Sequence, residues 1–160
     1  MSKWNNRGEL VPEAPKQAEK TIAQLLAEIS AKGGCFVLGV GPTPEGIIEA
    51  PAVAILEEIG QWLDRCGEAV YGTRITERYN DGDIWFNASK DGQTLYAIYA
   101  LKDEETLPGT LSWSGNLPKG GKVTILNNGK KVKATVKDGT VTVKLPKGMK
   151  QEPVALKFAI

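Results

Sequence analysis

Three dipeptides limit most tightly what this chain can fold into: Asp91-Gly92, Asn128-Gly129 and Asp138-Gly139. Each sits between stretches that alternate apolar and polar residues, and such pairs are favoured by two-residue β-hairpin turns. Ile84, Phe86 and Ala88 alternate with Trp85, Asn87 and Ser89. Leu95, Ala97, Tyr99 and Leu101 alternate with Tyr96, Ile98 and Ala100, so both faces of that stretch are apolar and it is expected to be central. Residues 111–114, 123–126, 132–136, 141–145 and 154–160 complete about seven short strands, which predicts an antiparallel β-sandwich over 73–160.

Before residue 73 the period is different. Ile22, Leu25, Leu26 and Ile29 recur at three- and four-residue spacing, which predicts a helix over 16–32 with that stripe facing inward. Gly33-Gly34 stops it. Residues 35–40 are a continuous apolar run of strand length, of the kind found where a strand is covered on both faces. Residues 41–46 hold two prolines and two glycines and form a loop. Pro51 opens a second helix, with Val53, Leu56, Ile59, Trp62 and Leu63 on one face and Gly67 after its end. Residues 15–67 therefore read as helix, buried strand, loop and helix, a piece of an α/β array. Residues 1–11 show no period.

Charge supports a boundary near Thr73. Residues 1–72 carry 6 basic and 10 acidic side chains, and residues 73–160 carry 14 and 9. The whole chain is near neutral at +1, so no bulk attraction to nucleic acid or a membrane surface follows. The basic half includes Lys130, Lys131, Lys133, Lys137, Lys144, Lys147 and Lys150, without the interleaved arginines and aromatics of a nucleic-acid face. Lysine is also a common guard of exposed strand edges. No apolar run approaches the roughly 18 residues of a membrane span. Residues 4–9 are polar and show no signal-peptide pattern, so the chain is either cytoplasmic or begins at an engineered Met1.

The chain has no histidine. Ser–His and Cys–His catalysis is excluded, and two cysteines without histidine make no zinc site. Cys35 and Cys66 read as reduced, mostly buried thiols. The glycines at 39, 41 and 46 do not match a dinucleotide or phosphate loop, and Pro42 and Pro44 remove backbone donors such a cradle would use. Neither a cofactor nor a metal is expected. Paired carboxylates would suit glycoside hydrolysis. Glu45 and Glu49 are candidates, whereas Glu57 and Glu58 are neighbours on a helix and point to different sides. Glu45 follows the apolar run, where barrel enzymes place functional loops. Asn87-Ala88-Ser89 matches a glycosylation acceptor but falls in an expected strand. Trp85, Tyr96 and Trp113 are candidates for sugar stacking, against the alternative of sandwich core.

The segments 30–34, 41–48, 59–63 and 67–73, Ser30-Ala31-Lys32-Gly33-Gly34 first among them, are similar in order and spacing to motifs of the α-L-fucosidases of glycoside hydrolase family 29. Ser30-Ala31-Lys32-Gly33-Gly34 resembles the family's Ser-Lys-Gly-Gly before its last barrel strand. Gly41-Pro42-Thr43-Pro44-Glu45-Gly46-Ile47-Ile48 resembles Gly-Pro-x-x-Asp/Glu-Gly-x-Ile, and Ile59-Gly60-Gln61-Trp62-Leu63 resembles Ile-Gly-x-Trp-Leu. Gly67-Glu68-Ala69-Val70-Tyr71-Gly72-Thr73 follows, and then a half similar to the family's β-sandwich appendage. The resemblance implies an α+β chain: a two-helix, one-strand remnant of a (β/α)8-like barrel over 1–72, then an antiparallel β-sandwich over 73–160. It implies a parent enzyme that removes terminal α-L-fucosyl groups with retention, in family members often secreted, periplasmic or lysosomal. The aspartate nucleophile, the acid/base and the pocket histidines would lie upstream of the part represented here, leaving this chain inactive alone. By the same resemblance Trp4, Gly39 and Glu45 are substrate-proximal, although the family usually has asparagine where Gly39 stands.

Burying the stripe 22–29 and the run 35–40 needs a partner, since each large apolar side chain is worth roughly 1.5–3 kcal/mol when buried. Self-association, or association with an upstream barrel polypeptide, is expected. The alternatives are a stand-alone carbohydrate-binding module and a subunit completing a barrel in trans.

Overall fold

A computed structural model describes residues 21–102 and 105–160, together with the backbone of two paired dipeptides. These are β1 (Lys3–Trp4) and β2 (Leu10–Val11), antiparallel, with Lys3 opposite Val11 and Trp4 opposite Leu10. A two-residue ladder is too short to leave a period in sequence, so 1–11 gave no sign of it.

Helix α1 (Ile22–Ala31) starts where its cap allows. The Thr21 hydroxyl accepts from the Gln24 amide at 3.1 Å, and the Gln24 side chain accepts from the Thr21 amide at 2.7 Å. This is a capping box, which satisfies two donors that a helix start would leave bare. The end is equally specified. The Gly33 amide donates to Ser30 and the Gly34 amide to Ile29, the Schellman pattern. Helix α2 (Ala50–Cys66) carries Pro51 in its first turn, as expected.

The sandwich is a single eight-stranded antiparallel sheet curled over its own core. Its strands are β3 (Asn80–Asp81), β4 (Ile84–Ala88), β5 (Thr94–Tyr99), β6 (Thr110–Ser114), β7 (Lys122–Ile125), β8 (Lys131–Lys137), β9 (Thr140–Lys144) and β10 (Val154–Ala159). Their order across the sheet is β3-β4-β5-β10-β7-β8-β9-β6. The seven strands read from alternation are all present, and β5 lies inside the sheet as its two apolar faces required. Strand β8 turns the corner: Lys131, Val132 and Lys133 pair with β7, and residues 134–137 pair with β9. The β8–β9 connection is Asp138-Gly139, both with positive φ (50° and 75°), the twist-matched hairpin geometry.

Curling brings the edge strands β3 and β6 together, where side chains replace a ladder. The Ser114 amide donates to the Asp81 carboxylate at 2.6 Å, and Arg78 donates to the Ser114 carbonyl at 3.0 Å. The Asn116 side chain donates to the Arg78 carbonyl at 3.0 Å. Gly115 makes room for this clasp, because a Cβ there would lie 2.5 Å from the Arg78 guanidinium. Inside, Trp113 packs edge-on to Phe86 at 6.0 Å and stacks with Phe158 at 5.8 Å. Leu95, Leu111, Ile125, Val141 and Leu156 fill the same core.

The outer face of β4, β5 and β10 is apolar too and carries the helices. Tyr96, Ile98 and Ala155 pack with Ala27, Trp62, Cys66 and Ala69. The helical segment and the sandwich thus share a second core across the boundary expected near residue 73.

Two expectations for the first part change. Helix α1 buries Ala23, Gln24, Ala27 and Ala31, not the stripe Ile22, Leu25, Leu26 and Ile29, which is only half-buried. Small residues let the helix lie close on β4, and close approach decided the orientation over side-chain size. Residues 35–40 form no strand and no ladder among the described residues, and Val37 is 87% exposed. An apolar run becomes a strand only where another strand offers its backbone, and none of those described does. Helix α2 turns the expected face inward: Trp62 is buried, Val53, Leu56, Ile59 and Leu63 are half-buried, and Cys66 is buried at its end.

Candidate functional site

Two regions collect the candidate residues: the loop after the apolar run, and the sheet face beside the helices. The loop closes on itself. The Thr43 amide donates to the Ile47 carbonyl and the Gly46 amide to the Thr43 carbonyl, both at 2.8 Å, and Pro42 and Ile48 bridge its ends. Glu45 sits in this loop, exposed, with Gly46 at φ 82° after it. Gly39 is exposed as well, and a Cβ there would meet no described heavy atom within 4 Å. Nothing local demands glycine where the resembling family has asparagine. Glu49 is the N-cap residue of α2 and makes no side-chain cap bond. The Trp4 backbone belongs to β1, and its side chain lies outside what is described.

The aromatic candidates separate sharply. Trp113 is 1% exposed, enclosed by Phe86 and Phe158, and its indole N–H donates to the Asn116 carbonyl at 3.2 Å. It is a core residue with no face open to a sugar. Trp85 is half-buried on the outer face, with the Lys32 ammonium 5.5 Å from its ring and the Tyr79 ring stacked at 6.4 Å. Tyr96 is 7% exposed and donates its hydroxyl to Glu68 at 3.3 Å. Glu68 also takes the Lys157 ammonium at 2.6 Å, which holds the Lys157 pKa above its usual value. Burial, then the Glu68 charge, push the Tyr96 phenol upward.

Beside this triad an open groove of about 410 Å³ runs between Tyr71, Thr73, Ser89 and Asp91. The Ser89 hydroxyl donates to Asp91 at 2.6 Å and, with the Gln93 amide at 3.1 Å, holds that carboxyl below the usual carboxylate range. Tyr71 is 64% exposed and rests on Gly67, where a Cβ would lie 2.8 Å from its ring. Tyr71 and Tyr79, the latter 41% exposed, are the outward-facing aromatics here, and alternation did not single them out. Both lie in irregular segments, where no period assigns a face; the pairing of Gly67 with an aromatic four residues on was the available signal.

Asn87 is fully buried under α1, donating to the Ala69 carbonyl at 2.8 Å and the Ser30 hydroxyl at 3.1 Å. In the folded chain it is inaccessible to a glycosyl donor.

An antiparallel sandwich whose outer face carries two helices is a sheet-and-helix arrangement with a second core between them. Residues 2–68 match the sequence model of the family described as alpha-L-fucosidase. Plasma alpha-L-fucosidase of Rattus norvegicus is 33% identical over 84 residues, covering 51% of this chain and 18% of the relative. The chain therefore spans about a fifth of the length of the curated relatives it matches. The fold is similar to that of part of the alpha-fucosidase of Thermotoga maritima (TM-score 0.70, 22% identity, 87% of this chain and 34% of that one). Alpha-L-fucosidase isoenzyme 1 of Paenibacillus thiaminolyticus superposes with a TM-score of 0.71 at 20% identity, over 89% of this chain and 34% of that one. Residues 2–68 are thus similar in sequence to the alpha-L-fucosidase family, and the chain shares its fold with about a third of the length of the solved alpha-L-fucosidases.

Proposed function

We propose that this chain is the C-terminal part of an α-L-fucosidase-like retaining glycoside hydrolase. In this reading its helices and apolar loop complete a catalytic barrel supplied by an upstream polypeptide. The aspartate nucleophile and the acid/base come from that polypeptide, and residues 1–160 alone are inactive toward fucosides. The substrate of the complete enzyme is a terminal α-L-fucosyl group, with Glu45, Gly39 and Trp4 nearest to it.

The observation that carries the reading is the apolar surface left over once the sandwich has formed. Val37, Leu38, Ile47, Ile48 and Ile55 are exposed, and Ile22, Leu25 and Ile29 are half-buried on one side of α1. An apolar patch of this kind marks a protein interface, and it lies within the residues that match the fucosidase family.

The test is hydrolysis of a chromogenic α-L-fucoside by the chain alone and after mixing with an upstream barrel polypeptide of the family. Turnover on mixing only, with Cys35 becoming protected from alkylation, is the expected result. Turnover by the chain alone that Glu45→Gln or Glu49→Gln abolishes would overturn the reading. A second reading, a stand-alone sugar-binding module, is favoured by the exposed Tyr71 beside the Ser89–Asp91 groove, with Trp85 and Tyr96 alongside. It predicts fucoside-independent glycan binding without any partner.

A further inference from the structure

The lysine excess of the second half is not accounted for by guarding strand edges. Lys131, Lys133, Lys137 and Lys144 lie in strands, but Lys130, Lys147 and Lys150 lie in the connections at one end of the sandwich. The fold gathers these three with Arg65, from the last turn of α2, around one open cavity of about 390 Å³. That volume falls within the roughly 300–1,000 Å³ of small-ligand sites.

The cavity has a braced wall. Glu152, 9% exposed, accepts from Arg65 at 2.8 Å and from the Asn127 side chain at 2.9 Å, with Lys150 at 3.5 Å. Asn127 is itself fixed, donating to the Pro153 carbonyl at 2.8 Å and accepting from the Ala155 amide at 3.0 Å. One carboxylate thus lines the cavity with four cations and pairs with two of them, Arg65 and Lys150. Lys130 and Lys147 are exposed and make no ion pair among the described residues. Pro146 and Met149, both half-buried, give the cavity an apolar side. Like charges converging on a concave surface focus a positive potential into it. An arginine held in place by a buried carboxylate keeps part of its donor fork for an oxyanion.

The geometry points to an anion-binding subsite at this end of the sandwich, taking a sugar ring that bears sulfate or carboxylate groups. The oxyanion engages Lys130, Lys147 and Arg65, and the ring rests on Pro146 and Met149. That the anion is carried by a sugar rests on the glycosidase reading above; the anion site itself rests on the charges and the cavity.

Binding of a heparin-derived sulfated tetrasaccharide to the 160-residue chain, followed by calorimetry in about 0.05 M and about 0.2 M salt, tests this without any hydrolysis. Saturable binding that weakens with salt is expected. The double substitution Lys130→Glu and Lys147→Glu should weaken it about tenfold or more, and Lys137→Glu, at the far end of β8, should leave it unchanged. Equal loss in Lys137→Glu would overturn the site. So would equal binding of the desulfated tetrasaccharide, or no binding at about 1 mM probe. Binding of inorganic sulfate or single-stranded DNA as tight as that of the tetrasaccharide would overturn the sugar assignment. Since no fucoside is turned over, a failed barrel reconstitution leaves this result readable, and the reverse holds too.

Discussion

Trp62 donates its indole N–H to the carbonyl oxygen of Pro153 at 2.8 Å, across 91 residues of sequence. It joins α2 to the strand that runs through the middle of the sandwich, in the core shared by both parts of the chain. Trp62→Ala should lower stability by roughly 3–5 kcal/mol, the cost of removing a buried aromatic. Trp62→Phe should lose only about 0.5–1.5 kcal/mol, because the Pro153 carbonyl keeps its bond from Asn127. Denaturant unfolding of the two variants measures the difference. Equal losses would show that the indole bond, not the ring, joins the two parts.

The alanine face of α1 predicts an inverted sensitivity. Ala27→Leu, at a position with no exposure, should overpack the contact with the sheet and cost about 1–3 kcal/mol. Leu25→Gln should cost less than about 1 kcal/mol in the isolated chain, because Leu25 is only half-buried. It should also reduce any self-association seen by light scattering. A larger loss from Leu25→Gln than from Ala27→Leu would mean that the leucine stripe is the one packed in solution.

The two thiols should behave differently. Cys35 is exposed, whereas Cys66 has no exposure and burial pushes its pKa up to about 12. Alkylation at neutral pH should modify one thiol per native chain, and Cys35→Ser should abolish that reaction. Cys66 should react only on unfolding. Two fast thiols in the native chain would contradict the packing of α2.

The same thiol makes stability fall at alkaline pH. An unfolded cysteine releases its proton near 9.0, and the folded Cys66 holds it to about 12. Its contribution is complete below about pH 9 and is lost as pH rises toward 12, at up to about 1.4 kcal/mol per pH unit. Tyr96, Tyr99 and Lys157 are also shifted upward, so they act in the same sense at higher pH. Stability measured from pH 8 to about 11 should decline, and Cys66→Ala should make the decline shallower. An unchanged slope in that variant would assign the loss to other groups.

Asn87 should not tolerate a charge. Asn87→Asp places an acceptor against the Ala69 carbonyl where a donor now stands, at a site with no exposure. A loss of about 3–5 kcal/mol is expected, as for an unpaired buried charge, and thermal unfolding would measure it. A variant as stable as the parent would place the Asn87 side chain elsewhere.

The sandwich was legible because alternation and hairpin dipeptides are local. Phe86 faces inward because Ile84 does, and Asp138-Gly139 turns the chain whatever surrounds it. The order of the resembling motifs from residue 30 to residue 73 was likewise readable residue by residue. The face of α1 was not, since choosing Ala27 over Leu25 required knowing that β4 would come close enough to exclude the larger side chain. Nor was the fate of residues 35–40, because an apolar run does not state which backbone will pair with it. The aromatic candidates divided in part on alternation, which set Trp85 on the opposite face from Ile84 and Phe86; the curl of the sheet then enclosed Trp113 with Phe158, and the helices left Trp85 beside Lys32. The sequence by itself determined which residues form strands, turns and caps, because those depend on neighbours a few positions apart. Tertiary structure decided which faces are covered and which charges converge, because burial and potential are set by residues that meet only when the chain has folded.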